Sequence, residues 1–425
     1  MTTPEADVVI LNRWRAVVAR ARNPRKRLEI VLNDPGAAML VPQIPAEEFY
    51  YLVRAVGVSD VGELLELASA DQVRTCLDMD GWDGDQLSLE RLTPWLEALE
   101  ELSPRRLAAV VRELDIEWLS SVFAATASIY ERATEESPEP MRKHPTFESP
   151  DGYFVVEFTG ADRELGRVLE RFLAALYTVD PDLGRMLLLE AQVGLPAELE
   201  ETSLRWRTAR MAELGFIDYY EALEVYRPLD PATLRSEHDT PVPARRADII
   251  GLPAVFADSL AGDTFLGRVL AEIEEAGPLN AVTGRLVAAL NRVLVADRIN
   301  PADLDAIASV TARARDTLSL ALEVLADGDV AHGRRAIERL GMVELFRAGV
   351  FLTMEPQRRA QQLRTVGVDD PDLLPLLERR PEFPCALDDA PRAGQRPFRT
   401  REDLRRVGAR LDVLEAEARR TGAIG

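Results

Sequence analysis

The chain has 425 residues, 72 Asp and Glu against 51 Lys and Arg, and a formal net charge of −21. A phosphate backbone would be repelled by that charge, so a general nucleic-acid binder is excluded. Cys76 and Cys385 are the only cysteines, too few for a disulfide framework and without metal-ligand spacing.

With 47% hydrophobic and 29% charged residues the composition is that of a globular protein, and the length suits two or three domains. No apolar run has the length of a membrane span; Phe346–Met354 is interrupted by Arg347. At the N-terminus Glu5 and Asp7 precede a short apolar run, which is not a signal-peptide layout. The expected location is the cytoplasm.

Residues 1–45 read as a basic arm. Between Arg13 and Arg27 stand seven basic residues and no acidic one, with Trp14 among them. A helix over Val8–Arg22, ended by Pro24, would pair its basic face with the acidic body or touch an anionic membrane surface.

Residues 46–134 read as an array of short helices. Phe49, Leu52, Val53 and Val56 form one apolar stripe, Leu89, Leu92, Leu96 and Leu99 a second, and Leu107, Val110, Val111 and Leu114 a third. A short helix with one wide stripe must stack on a neighbour, so a superhelical array follows. Within it, Asp60 and Glu63 have capping-box spacing, and Ser69 is placed to start the next helix. Gly57, Asp60, Glu63, Leu65 and Glu66 reappear without a gap as Gly215, Asp218, Glu221, Leu223 and Glu224; Gly367 and Asp370 form a weaker echo. In each, a glycine free to take positive φ would end one helix and an aspartate would start the next. Residues 60–101 carry twelve acidic and two basic side chains, which predicts a strongly negative face.

The phrases LLELASADQVRTCLD (Leu64–Asp78) and LSPRRLAAVVRELD (Leu102–Asp115) resemble the repeated units of the superhelical intracellular domain of MgtE-type magnesium transporters. That resemblance implies stacked helices and an acidic surface sensitive to divalent cations, without transport, because the membrane domain is lacking. The whole chain resembles an uncharacterised bacterial family, a domain of unknown function, through LELASADQVRTCLDMDGWDGD, DGYFVVEF, LGFIDYYEALEVYRPL and RPFRTREDL.

Residues 135–160 supply a linker and the one strand signal. Thr146–Ser149 and Tyr153–Phe158 flank Ser149-Pro150-Asp151-Gly152, a turn that predicts a small hairpin. Helices resume over 161–235, and 248–380 reads as a helical bundle after the proline-containing loop Pro228–Pro243. There Asn300-Pro301 has the order of a helix start. Residues 381–425 hold an irregular loop and a last helix, capped at Thr400 and boxed by Asp403. Its Leu404, Val407, Leu411, Leu414 and Ala418 form a stripe for docking on the body.

Chemistry is sparse. Asp78, Asp80, Asp83 and Asp85, with two glycines between them, would offer oxygen ligands to Mg²⁺ or Ca²⁺. The EF-hand register fails, because aligning Gly81 with its turn glycine puts Cys76 first and Leu87 last. A solvated loop with Trp82 anchored in the core competes with the metal reading. Arg392, Arg396 and Arg399 would hold a phosphate, a carboxylate or a partner, or else pin their own loop through ion pairs to acids such as Asp388 and Asp389. His144, His238 and His332 have no partner at ligand spacing, and no phosphate loop, dinucleotide fingerprint or nucleophile elbow is present. The expectation is an all-α, non-catalytic protein that presents an acidic helical surface to a protein partner, itself basic. The alternatives are a divalent-metal-responsive module and an enzyme with an unrecognised site in 248–400.

Overall fold

A computed structural model of the protein describes residues 23–132, 143–236, 263–273 and 276–421. The expected helix Val8–Arg22, most of the linker and His238 lie outside the described residues. The chain forms two compact units that divide between Leu214 and Gly215, ahead of the Pro228–Pro243 segment.

The first unit is built from helices α1 (Pro24–Leu32), α2 (Ala37–Leu40), α3 (Ala46–Val56), α4 (Gly62–Leu67), α5 (Ala70–Asp80), α6 (Leu89–Glu100), α7 (Pro104–Glu113), α8 (Ile116–Thr126), α9 (Arg163–Val179), α10 (Pro181–Val193) and α11 (Pro196–Glu213). Helix α3 packs on α5 and α5 on α7; α9 packs on α6, α7 and α10; α8 packs on α10 and α11. The stripes read from the sequence face these contacts: Phe49, Val53, Leu92, Leu96, Leu107, Val110 and Phe123 are buried, each worth about 1.5–3 kcal/mol relative to exposure. Ser69 makes a capping box with Gln72, its Oγ accepting from the Gln72 N–H while Gln72 Oε1 accepts from Ser69 N–H at 2.7 Å.

Strand content is small. A two-residue ribbon, β1 (Trp82–Asp83) with β2 (Gln86–Leu87), follows α5. The expected hairpin forms as β4 (Thr146–Glu148) and β5 (Phe154–Glu157), closed by the Gly152 N–H donating to Ser149 C=O at 2.8 Å. The chain adds a third strand, β3 (Ser128–Glu131), so that β5 is central and wholly buried. Two strands alone would be marginal.

The second unit contains α12 (Tyr219–Ala222), a 3₁₀ turn Leu223–Tyr226, α13 (Pro231–Ser236), α14 (Phe265–Ala271), α15 (Ala276–Ala296), α16 (Leu304–Leu325), α17 (Val330–Arg339), α18 (Met342–Thr365), α19 (Leu374–Leu377), a ribbon of β6 (Phe383–Pro384) with β7 (Gln395–Arg396), and α20 (Arg401–Arg420). The long pair α16 and α18 forms its centre. They approach so closely that a Cβ added at Gly349 would lie 2.4 Å from the Thr317 carbonyl oxygen. Helix α20 starts in the capping box of Thr400 and Asp403. Its Val407, Leu411, Leu414 and Ala418 join Ala360, Leu363, Phe383 and Phe398 in one apolar cluster.

Two helix starts differ from the sequence reading. Gly57, Gly215 and Gly367 all take positive φ, and Asp218 and Asp370 cap the elements that follow. Asp60 does not: α4 begins two residues later, and the Asp60 carboxylate takes Arg25 instead at 3.0 Å. Asn300 also caps no helix. Its side chain closes a turn onto Ala302 N–H, and Asp303 caps α16 by accepting from Ala306 N–H at 2.9 Å.

Candidate functional site

Asp78 and Asp80 belong to the last turn of α5 and are buried, so the run Asp78–Asp85 is not one solvated loop. Their side chains diverge. Asp78 accepts a two-pronged bond from Arg210 at 2.7 and 3.0 Å, and its carbonyl accepts from Arg207 at 2.7 Å. Arg210 also reaches Asp115 at 2.7 Å, and Arg207 lies 5.2 Å over the Trp82 ring. Asp80 accepts from Arg54 at 3.0 Å and from Trp95 Nε1 at 2.9 Å. Burial pushes the Asp78 carboxyl up, and Arg210 pulls it back toward ionisation. Asp83 pairs with Arg91 at 3.1 Å, and Asp85 is exposed. A cation at Asp78 or Asp80 would have to displace these arginines, and among the described residues no three His, Cys, Asp or Glu side chains are grouped to hold a metal ion.

The same pairing reduces the negative face expected of residues 60–101. Asp60, Asp78, Asp80 and Glu100 are matched by Arg25, Arg210, Arg54 and Arg171, all from outside that window.

The C-terminal arginines are not brought together as one receptor. Arg396 is largely buried, donates to Asp388 at 2.8 Å and Asp403 at 2.7 Å, and lies 4.1 Å over Phe383. Through these contacts it fastens the ribbon to the start of α20. Arg392 and Arg399 contribute backbone N–H groups, to the Cys385 carbonyl and the Asp403 carboxylate respectively.

The site that sequence reasoning missed lies in the second unit. A cavity of about 520 Å³ opens between the Leu223–Tyr226 turn, the end of α15, α16, α18 and the segments Arg379–Glu382 and Pro397–Phe398. Its walls are more apolar than polar, with Val293, Val310, Leu320, Phe346, Met354 and Phe398 among them, and its size is that of a small-molecule site. At one side is Asp297, whose side chain is 5% exposed. It accepts from Tyr226 Oη at 2.8 Å, Arg313 Nη2 at 3.2 Å and Arg380 Nη1 at 2.7 Å, with a second bond from Arg380 Nη2. The Arg380 guanidinium stacks 3.9 Å over the Tyr226 ring, and that ring meets Phe346 edge-on at 5.6 Å.

Burial first, and the Asp297 charge second, push the Tyr226 hydroxyl far above its usual pKa, so it stays a phenol and donates. Arg380 is destabilised as a cation by burial, but its bonds to Asp297 more than offset that and raise its pKa. Arg227 and Arg379 add two more guanidiniums to the lining and Glu382 one more carboxylate. Arg379 is exposed and has no hydrogen-bond or ion-pair partner among the described residues. Arg227 is itself paired with Glu224 at 3.4 Å, so four guanidiniums meet three carboxylates in a chain whose net charge is −21.

Backbone strain marks the same spot. Arg298, next to Asp297 and two residues past the end of α15, takes φ +55°, with Ile299 N–H closing back onto Leu294 C=O at 2.9 Å. Glycine is the ordinary occupant there; Arg298 instead stacks 4.3 Å over Tyr219. A sequence signal for the cavity existed only in pieces: Arg379-Arg380 beside Pro381, and a lone Tyr226, 71 residues from Asp297.

Residues 9–424 match the family of unknown function DUF6178, and the chain belongs to that family. No curated protein and no solved structure matches it. The likeness of residues 46–134 to MgtE-type transporters has no counterpart in these comparisons.

Proposed function

We propose that this member of the DUF6178 family binds a small organic anion with an apolar body in the cavity of its second unit, as a receptor or carrier rather than a catalyst. One observation carries the reading. Two guanidiniums, Arg313 and Arg380, converge on the single carboxylate of Asp297, leaving positive charge in excess at the wall of an apolar, ligand-sized space. A second anion satisfies that excess, and water exclusion by the apolar walls strengthens the attraction. Tyr226 and Asp297 hold the arginines in place, the phenol donating to the carboxylate and the carboxylate accepting from both guanidiniums.

The test is binding of anilinonaphthalene sulfonate, an apolar monoanion that fluoresces when shielded from water. Binding to the wild type is expected to weaken about 10- to 100-fold in the Arg313→Gln, Arg380→Gln double variant, the worth of charge-assisted hydrogen bonds. It is expected to vanish in Ala314→Trp, which fills the space. Unchanged binding in both variants would remove the reading.

A second reading, a macromolecule-binding protein, draws on a different feature. Helix α10 exposes Met186, Leu189 and Val193 at i, i+3 and i+7, followed by Leu195, with Val193 78% exposed. Such a stripe suits a protein partner, and the net charge of −21 favours a basic one. Capture from the native cell that survives Met186→Glu with Val193→Glu would count against it. Among the described residues no helix is long and apolar enough to cross a membrane.

A further inference from the structure

Granting the anion site proposed above, we infer that its ligand is an apolar monocarboxylate, an aryl or medium-chain acyl acid, and not a phosphate ester or a sugar. The donors of the cavity decide this. Phosphate sites are made largely of backbone N–H groups at helix N-termini and glycine-rich nests. Here the lining loops present Pro228, Pro381 and Pro397, which have no N–H to give. The helix that ends at the cavity, α15, ends there with its C-terminus, at Val293 and Asp297. That end is the negative pole of the helix dipole and repels a dianion.

The neutral polar side chains of the lining are already engaged. Thr317 Oγ1 donates to Arg313 C=O at 3.2 Å, Thr353 Oγ1 to Val350 C=O at 2.9 Å, and Gln357 Nε2 to Glu378 C=O at 2.8 Å. The Tyr226 hydroxyl is held by Asp297. A polyhydroxylated ligand would bury hydroxyl groups without partners, at a cost of about 1–3 kcal/mol each. The guanidiniums remain, and their planar fork matches a carboxylate bidentately. Charge agrees: Arg313 and Arg380 exceed Asp297 by one, Arg227 is matched by Glu224 at 3.4 Å, and the charges of Arg379 and Glu382 cancel in the sum without an ion pair between them. The remainder suits one negative charge. The rest of the ligand meets Phe346, Phe398 and Met354, a surface for hydrocarbon.

The experiment displaces bound anilinonaphthalene sulfonate from the full chain with compounds that share one tail: decanoate, decyl phosphate and decanol, with 2-naphthoate as the aryl counterpart. Decanoate or 2-naphthoate is expected to displace the probe at concentrations at least tenfold lower than decyl phosphate or decanol. Arg379→Gln, whose exposed and unpaired side chain can be changed without unfolding the unit, is expected to weaken decanoate severalfold and leave decanol unchanged. If decyl phosphate or decanol matches both acids, the carboxylate inference is overturned while the site itself stands. If the wild type binds no probe, or Ala314→Trp binds it as well as the wild type does, the site falls and the inference with it.

Discussion

Each unit buries an aspartate against arginines, and the two aspartates differ in what surrounds them. Asp78 shares Arg210 with Asp115, and Arg207 sits on its carbonyl, so two carboxylates meet two guanidiniums and Trp82 covers one of them. Asp297 alone meets Arg313 and Arg380, and the group opens on about 520 Å³ of apolar space. The first set is balanced and enclosed, which makes it a fastening between α5 and α11. The second is unbalanced and beside a void, and the proposed receptor role rests on that difference. Residue types alone do not separate the two; stoichiometry and empty volume do.

The largest effect should come from breaking the enclosed pair. Arg210→Ala leaves Asp78 and Asp115 without their cation in a buried place, and urea unfolding of the first unit is expected to lose about 3–5 kcal/mol. A loss below about 1 kcal/mol would mean that water reaches the pair and that it is not enclosed. Probe binding to the second unit should not change.

Asp297→Asn is expected to act in two directions. Removing the shared acceptor costs stability, about 3 kcal/mol in the unfolding of the second unit. It also removes a negative charge from the cavity, so affinity for anilinonaphthalene sulfonate should rise about fivefold, roughly 1 kcal/mol. A fall in affinity would show that Asp297 positions the arginines more than it opposes the ligand.

A third carboxylate provides the exposed extreme. Asp151, in the turn between β4 and β5, is held down to about 2 by the Ser149 hydroxyl first and Arg185 after it. Its folded pKa lies below the unfolded value, so its contribution is present above the unfolded pKa and is lost as pH falls through the folded one. Asp151→Asn is expected to cost about 1 kcal/mol near pH 7, after allowance for solvent screening. That difference from the wild type should shrink between pH 4 and pH 2 in acid unfolding followed by circular dichroism. A constant difference down to pH 2 would assign the effect to turn geometry instead of charge.

The smallest effect is expected at Arg298. Its positive φ costs about 1 kcal/mol, partly recovered by the stack on Tyr219. Arg298→Gly should therefore raise the melting temperature slightly, with probe affinity unchanged or lower. A clear loss of stability would show that the stack on Tyr219 matters more than the strain.

Much of the architecture was legible in the chain because helices are written locally. The apolar spacing of Leu92, Leu96 and Leu99 or of Val407, Leu411 and Leu414 needs no distant information. Nor do the caps at Ser69, Asp218 and Thr400, or the glycines 57, 215 and 367 with their positive φ. Local rules failed where a distant cation was a better partner than a nearby N–H, as at Asp60, and where a helix was continued through acids that looked like loop residues, as at Asp78 and Asp80.

Sequence by itself determined the helical class, the small hairpin at Ser149–Gly152 and the absence of the compact catalytic motifs, since each is a short-range pattern of apolar spacing, turn chemistry or ligand spacing. Tertiary structure alone decided which charges cancel. Arg210 reaches Asp78 across 132 residues and Arg380 reaches Asp297 across 83. Whether such a group ends as a sealed tie or faces an opening depends on how helices distant in the chain happen to pack, because the energy of a buried ion is set by everything within a few ångströms of it and not by its neighbours in sequence.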